Sequence, residues 1–195
     1  MLQPSGAVIE PASAIIGLGS NLSSDHGSPL EILQTALDLL ARDGVEIQSV
    51  SRFYSTPCFP AGAGPDYVNA AALLRVALTP NKILSRLHDV EETLGRTRIA
   101  RWGQRTVDLD LLAFGDEILP DREAFEHWQN LPIEAQSKLA PEHLVVPHPR
   151  LQDRAFVLVP MADVAPDWVH PVTRQSTRQM LDDLRADEVA QIKPL

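Results

Sequence analysis

Residues 14–40 read AIIGLGSNLSSDHGSPLEILQTALDLL, and this stretch sets the architecture. Ala14-Ile15-Ile16-Gly17-Leu18-Gly19 is a short apolar run closed by glycine, the pattern of a buried strand that leaves through a loop at Ser20 and Asn21. Ser28-Pro29-Leu30-Glu31 then supplies an N-cap, a proline at the first helical position and a capping-box glutamate. Ile32, Leu33, Ala36, Leu37 and Leu40 recur at helical spacing, and Gly44 ends the helix.

The same logic extends outward. Val45 to Tyr54 is rich in β-branched and aromatic residues and predicts one strand, residues 56–66 form a Pro/Gly loop, and Tyr67 to Leu78 predicts the next strand. Thr79-Pro80 repeats the cap-then-proline start, with Ile83, Leu84, Leu87, Val90 and Leu94 on one face and Gly95 as the stop, so a second helix spans about 80–94. Val107 to Phe114 alternates apolar and acidic residues, and Gly115-Asp116 offers a turn into Glu117-Ile118-Leu119, which reads as a hairpin. Residues 120–142 read as an inserted helical excursion, Leu144–Val146 and Phe156–Val159 as short apolar runs, and Ser176–Leu184 as a late helix. The order strand, helix, strand, strand, helix, strand predicts an α+β, ferredoxin-like two-layer plait with a mainly antiparallel sheet. Residues 1–13 read as an N-terminal extension and 14–195 as one domain carrying the 120–142 insertion.

Composition narrows the function. With 195 residues, 44% of them hydrophobic and 22% charged, the chain can bury a full core without disulfides or structural metal. The lone Cys58 and the lack of a zinc-spaced Cys/His quartet suit a reducing compartment. The opening MLQPSGAVIEPAS lacks a signal peptide's basic start and apolar run, and no stretch reaches the ~18 apolar residues of a membrane span, so the expectation is a soluble cytoplasmic protein without membrane partners. A net charge of −9, from 26 acidic and 17 basic residues, opposes general nucleic-acid binding. Any polyanion must therefore meet a local basic cluster.

One segment provides such a cluster: Arg96-Thr97-Arg98-Ile99-Ala100-Arg101-Trp102-Gly103-Gln104-Arg105-Thr106-Val107-Asp108-Leu109-Asp110. On a strand, Asp108 and Asp110 share one face, ~7 Å apart along the chain, while Val107, Leu109 and Leu111 point the other way. Two such carboxylates suit Mg²⁺, which binds through one or two carboxylates plus substrate phosphates, and nearby arginines suit the remaining phosphate oxygens. The bland reading is a solvated edge strand with two surface aspartates; the adjoining arginines favour phosphate and metal together. A substrate hydroxyl could serve as nucleophile, so none is required of the protein.

Other features are weaker. Gly17-x-Gly19 imitates a dinucleotide fingerprint, but Leu22 occupies the third glycine position, and no Walker A sequence is present. His148, with Arg150 and Arg154, lies in a Pro-bounded loop that is either a phosphate contact or plain surface. Cys58 reads as a passive thiol. Tyr67 and Phe156 fit either a core or a ring-stacking role.

Taken together, Gly19-Ser20-Asn21-Leu22, Phe53-Tyr54-x-Thr56-Pro57, Pro65-Asp66-Tyr67-x-Asn69-Ala70, Gly95-Arg96-x-Arg98, Arg101-Trp102-Gly103-x-Arg105-Thr106-x-Asp108-Leu109-Asp110 and Pro147-His148 resemble the 6-hydroxymethyl-7,8-dihydropterin pyrophosphokinase family of folate synthesis. The resemblance runs in order from about residue 14 to 171. It implies a ferredoxin-like enzyme that moves pyrophosphate from ATP to the substrate's hydroxymethyl oxygen and releases AMP. By resemblance, Asp108 and Asp110 hold two Mg²⁺ ions. Arg96 and Arg105 orient the transferred phosphates, Arg98 assists, and His148 and Arg154 contact phosphate from the other side. Tyr67 and Phe156 sandwich the pterin, Asn69 and Thr56 read its edges, Trp102 closes over it, and Glu91 and His88 flank the nucleotide. Gln104 departs from the family's usual proline, and Ile99 occupies a stretch that is often more basic. The alternative is a non-catalytic pterin- or nucleotide-binding module of the same fold, which the presence of both aspartates disfavours. A ferredoxin-like regulatory domain would make the arginine and aspartate motifs coincidental, and a Mg²⁺-dependent nuclease is opposed by net charge.

Overall fold

The structure is a computed structural model and describes residues 10–58, 64–96, 105–132, 135 and 139–195. Strand β1 runs Ala12–Ser20. Helix α1, Pro29–Leu40, starts on the capping box read from sequence: Ser28 accepts from the Glu31 N–H, and the Glu31 carboxylate accepts from the Ser28 N–H at 2.8 Å. Gly44 follows with φ +89°, a left-handed value that a side chain would strain. Next come β2 (Val45–Val50), β3 (Tyr54–Thr56), β4 (Tyr67–Val76), α2 (Pro80–Thr93) and β5 (Asp108–Phe114).

The pairings are antiparallel, with β5 beside β1, β1 beside β4, and β2 and β3 both on the far edge of β4. This is the plait anticipated from the element order. One face buries Ile16, Leu18, Ala72, Leu74, Leu109 and Leu111 against the apolar stripes of α1 and α2. The sequence continues with α3 (Arg122–Asn130), a 3-10 turn (Leu151–Asp153), α4 (Ala155–Val164), α5 (Thr177–Asp182), α6 (Ala186–Val189) and a two-residue β6 (Lys193–Pro194) that pairs with β3. Helix α4 crosses the other sheet face, where Leu158 and Met161 pack with Ile15, Ala71 and Leu112, and α5 adds Met180. It covers that face only in part, leaving the end toward Gly19 and Asp108 open.

Two expectations need correction. The single strand over 45–54 is broken at Ser51–Phe53: Ser51 N–H still donates to the Ala71 carbonyl, but the Ala71 N–H bonds the Ser51 hydroxyl and the Arg52 N–H turns to Asp163. The hairpin after Gly115-Asp116 does not form. Gly115 takes the expected turn with φ +54°, but of residues 117–119 only Leu119 pairs, through a single bridge to Val146.

Candidate active site

The open end of the sheet face is built by register. Asn69, Gly19 and Asp108 stand abreast on β4, β1 and β5, and Ala71, Gly17 and Asp110 form the next row. Side chains in one row of a sheet share a face, so two carboxylates and an amide surround a glycine floor. The cavity above is walled by Phe156 and Val157 of α4 and by Leu112. Leu112 shares the face of Asp108 and Asp110 by alternation along β5, and a bulge at this residue brings Ala113, opposite Ile15, onto the same face.

Asp108 is the electrostatic centre. Arg96 Nη2 lies 2.8 Å from Asp108 Oδ1, while Arg105 Nη1 pairs with Oδ2. Burial and the neighbouring Asp110 carboxylate push the Asp108 pKa up, against the pull of Arg105 and Arg96. Burial opposes the Arg105 charge, but pairing with Asp108 outweighs it and raises that pKa. Arg96 also bonds Glu91, whose Oε1 accepts the Leu109 N–H at 2.7 Å on the outer edge of β5. Glu91 is only 2% exposed, and burial raises its pKa to about 7. A relay of Glu91, Arg96, Asp108 and Arg105 therefore ties α2 and the loops around β5 into one charged cluster.

The loop before α4 supplies the opposite side. His148 Nδ1 accepts the Arg150 N–H at 3.1 Å, and burial, with Arg154 nearby, lowers the imidazole pKa to about 3. The ring is neutral with its proton on Nε2, a donor rather than a charge. Arg154 sits over the Phe156 ring at 5.6 Å; burial lowers its pKa and Asp110 opposes that shift. Phe156 itself is 40% exposed, unusual for an aromatic ring that is not covered by something else. Across the floor, Asn69 Nδ2 donates to Thr56 Oγ1 at 2.6 Å, and half-buried Tyr67 stands beside them with its pKa raised by burial.

Thus Thr56, Tyr67, Asn69, Arg96, Arg105, Asp108, Asp110, His148, Arg154 and Phe156 gather around one face, and Glu91, behind it at the outer edge of β5, joins them through Arg96. His88 is exposed on α2, one turn before Glu91. Arg98 and Trp102 lie outside the described residues, as do Ile99 and Gln104. Ser20 and Asn21 carry contacts that no sequence motif assigned to either residue individually. Ser20 Oγ donates to the Thr106 carbonyl at 2.5 Å, and Asn21 and Arg105 exchange hydrogen bonds, Asn21 N–H to the Arg105 carbonyl at 3.1 Å and Arg105 N–H to Asn21 Oδ1 at 2.9 Å. Asn21 Nδ2 also donates to the Pro65 carbonyl at 3.2 Å. These two residues latch the approaches to β4 and β5 over the end of β1, and their position directly after Gly17-x-Gly19 was the available signal.

Among the described residues, no three or more His, Cys, Asp or Glu side chains converge as a metal cluster. Two carboxylates with an open face suit a hard cation that takes its remaining ligands from water and substrate phosphate. The family model for 7,8-dihydro-6-hydroxymethylpterin-pyrophosphokinase matches residues 15–166, a span that contains every residue named as lining this cavity. The chain belongs to this family. A pyrophosphokinase relative from Pseudomonas aeruginosa is 40% identical over 154 residues, covering 78% of this chain and 80% of its own. One from Synechocystis is 35% identical over 182 residues, covering 93% and 80%. Among solved structures, a Plasmodium falciparum HPPK-DHPS crystallised with pterin and p-hydroxybenzoate has a TM-score of 0.63 at 14% identity, covering 89% of this chain and 43% of that one. At that identity the likeness speaks for the pyrophosphokinase fold. No helix among the described residues is long and apolar enough to cross a membrane.

Proposed function

We infer that this pyrophosphokinase uses the cavity on the open sheet face to transfer the terminal pyrophosphoryl group of ATP to 6-hydroxymethyl-7,8-dihydropterin, releasing AMP in folate biosynthesis. The observation that carries the assignment to this cavity is the convergence of Asp108 and Asp110 with Arg96, Arg105, Arg154 and neutral His148 beside an exposed aromatic ring.

Asp108 and Asp110 are the residues to hold Mg²⁺, two ions by family resemblance, and their paired carboxylate oxygens suit it. Bound there, Mg²⁺ supplies charge neutralisation to the triphosphate. Arg96 and Arg105 meet phosphate oxygens with planar, bidentate donors, and Arg154 and the His148 Nε2–H do so from the α4 side. In the transfer, the pterin hydroxymethyl oxygen bonds to the β-phosphorus, the bond to the α-phosphate bridging oxygen breaks, AMP leaves with that oxygen, and the hydroxyl proton passes to solvent. Fixed cations and donors stabilise the charge that spreads over the phosphate oxygens, so no protein nucleophile is needed. Tyr67 and Phe156 flank the flat pterin ring, and Asn69 with Thr56 offers hydrogen bonds to its edge.

The test is product analysis after mixing the protein with Mg-ATP and 6-hydroxymethyl-7,8-dihydropterin. AMP and pterin pyrophosphate forming together, and both lost on chelation of Mg²⁺, is the expected result. ADP in place of AMP would make the ATP placement wrong. Pterin binding without turnover would favour a binding module.

A further inference from the structure

Gly19 is placed where a side chain would collide with the group that reads the pterin edge. A Cβ built on it would stand 2.9 Å from Asn69 Oδ1, a separation that Cβ atoms essentially never show, whereas Asp108 Cβ and Tyr67 Cδ1 are at an ordinary 4.0 Å. The single conflict is therefore with the Asn69 amide. That amide has little room to yield: it is 7% exposed, and its Nδ2 is fixed on Thr56 Oγ1, itself on a residue 3% exposed. Gly19 lies near the C-terminal end of β1, paired on both sides, with no left-handed backbone demanding glycine. In a strand interior glycine is disfavoured by backbone entropy, so its presence needs a packing reason.

We propose that Gly19 is a positioning residue for pterin recognition: its missing side chain lets the Asn69 amide lean across β1, with Nδ2 held by Thr56, so that the amide stands at the cavity wall ready for the heterocycle. This rests on the reading of Asn69 as a pterin contact. Gly19→Ala leaves the strand and the charged cluster in place but forces the amide off its Thr56 partner, misaligning a hydrogen bond that discriminates the pterin from flat rings lacking its edge pattern.

The test is a double-mutant cycle with Gly19→Ala, Asn69→Ala and the pair, read as pterin affinity in the presence of a non-hydrolysable ATP analogue, together with nucleotide affinity and thermal unfolding. Gly19→Ala is expected to weaken pterin binding about tenfold, the scale of one lost hydrogen bond, with nucleotide affinity unchanged. Placed on Asn69→Ala it is expected to add nothing. If Gly19→Ala lowers the melting temperature, the pair, in which the collision is gone, recovers it. An equal further loss in the pair would show that the new methyl blocks the cavity directly, which overturns the positioning role, as would unchanged pterin affinity in Gly19→Ala alone. Unchanged affinity in Asn69→Ala alone would remove the Asn69 assignment itself, and the inference with it.

Discussion

At the residue scale, the two aspartates do different work in the structure. Asp108 is clasped by Arg96 and Arg105, whereas Asp110 lines the cavity and couples electrostatically to both Arg105 and Arg154. On the function proposed above, Asp110→Ala removes a metal ligand from the site and nothing from the core. Turnover is expected to fall on the order of a thousandfold with the melting temperature nearly unchanged, measured by AMP release and thermal unfolding. Retained turnover would strip Asp110 of its metal role. If Arg105 contacts phosphate as proposed, Arg105→Ala is expected to drop kcat by about a hundredfold or more while pterin affinity stays within a few-fold. Steady-state kinetics with varied pterin separates the two effects, and a defect confined to pterin affinity would contradict the assignment. Alternation along Val107–Phe114 made the shared face of Asp108 and Asp110 legible, because a strand's period depends on local geometry alone. The Glu91 bond to the Leu109 N–H was not legible, since it joins residues 18 apart through an outer edge that only the folded sheet defines.

At the element scale, the capping box of α1 and the proline starts of α1 and α2 were written in the sequence, since capping is satisfied within four residues. The break between β2 and β3 was not, for its cause lies on α4. There Asp163 accepts from the Tyr54 hydroxyl at 2.7 Å and pairs with Arg52 at 2.9 Å. The apolar run Phe156–Val159 is likewise helical through context: Leu158 and Met161 meet the sheet, while Phe156 at the start of α4 turns toward the cavity. Of the Asp163 contacts, the one to Arg52 counts for little because that side chain is 65% exposed. Tyr54 is 2% exposed, and burial followed by the bond to Asp163 raises its pKa to about 12. Asp163→Ala leaves that buried hydroxyl without its acceptor and is expected to cost about 1–3 kcal/mol in urea unfolding. A change below a few tenths would show that the clasp does not anchor α4.

At the scale of the whole molecule, the segment after β5 is tied back through one imidazole. His170 is fully buried between the Phe125 ring of α3 at 5.4 Å and the Trp168 ring at 5.5 Å, and Trp168 Nε1 donates to the Gly115 carbonyl at 3.0 Å. His170 Nδ1 accepts the N–H groups of Val172 and Thr173 at 3.1 and 3.3 Å, so the neutral ring carries its proton on Nε2. Burial lowers its pKa to about 4. The unfolded chain, with an ordinary histidine, then binds more protons than the folded one between pH 6.5 and pH 4, and stability falls as pH falls through that window. His148, lowered to about 3, adds a loss of the same sign. His170→Asn keeps an acceptor for the two backbone N–H groups but cannot titrate. Relative to the parent, the variant is therefore expected to gain stability as pH drops from 6.5 to 4, by on the order of 3 kcal/mol if the whole shift is expressed. Urea unfolding of both proteins across that range measures the difference, and parallel pH curves would show that His170 is not the group that couples protons to folding. In that variant acid sensitivity persists at His148, whose neutral ring is held among the arginines at the cavity, and at Asp163, whose carboxyl is held low, against its burial, by its bonds to Arg52 and Tyr54, so the tie between α3 and Trp168 has a proton dependence separable from theirs.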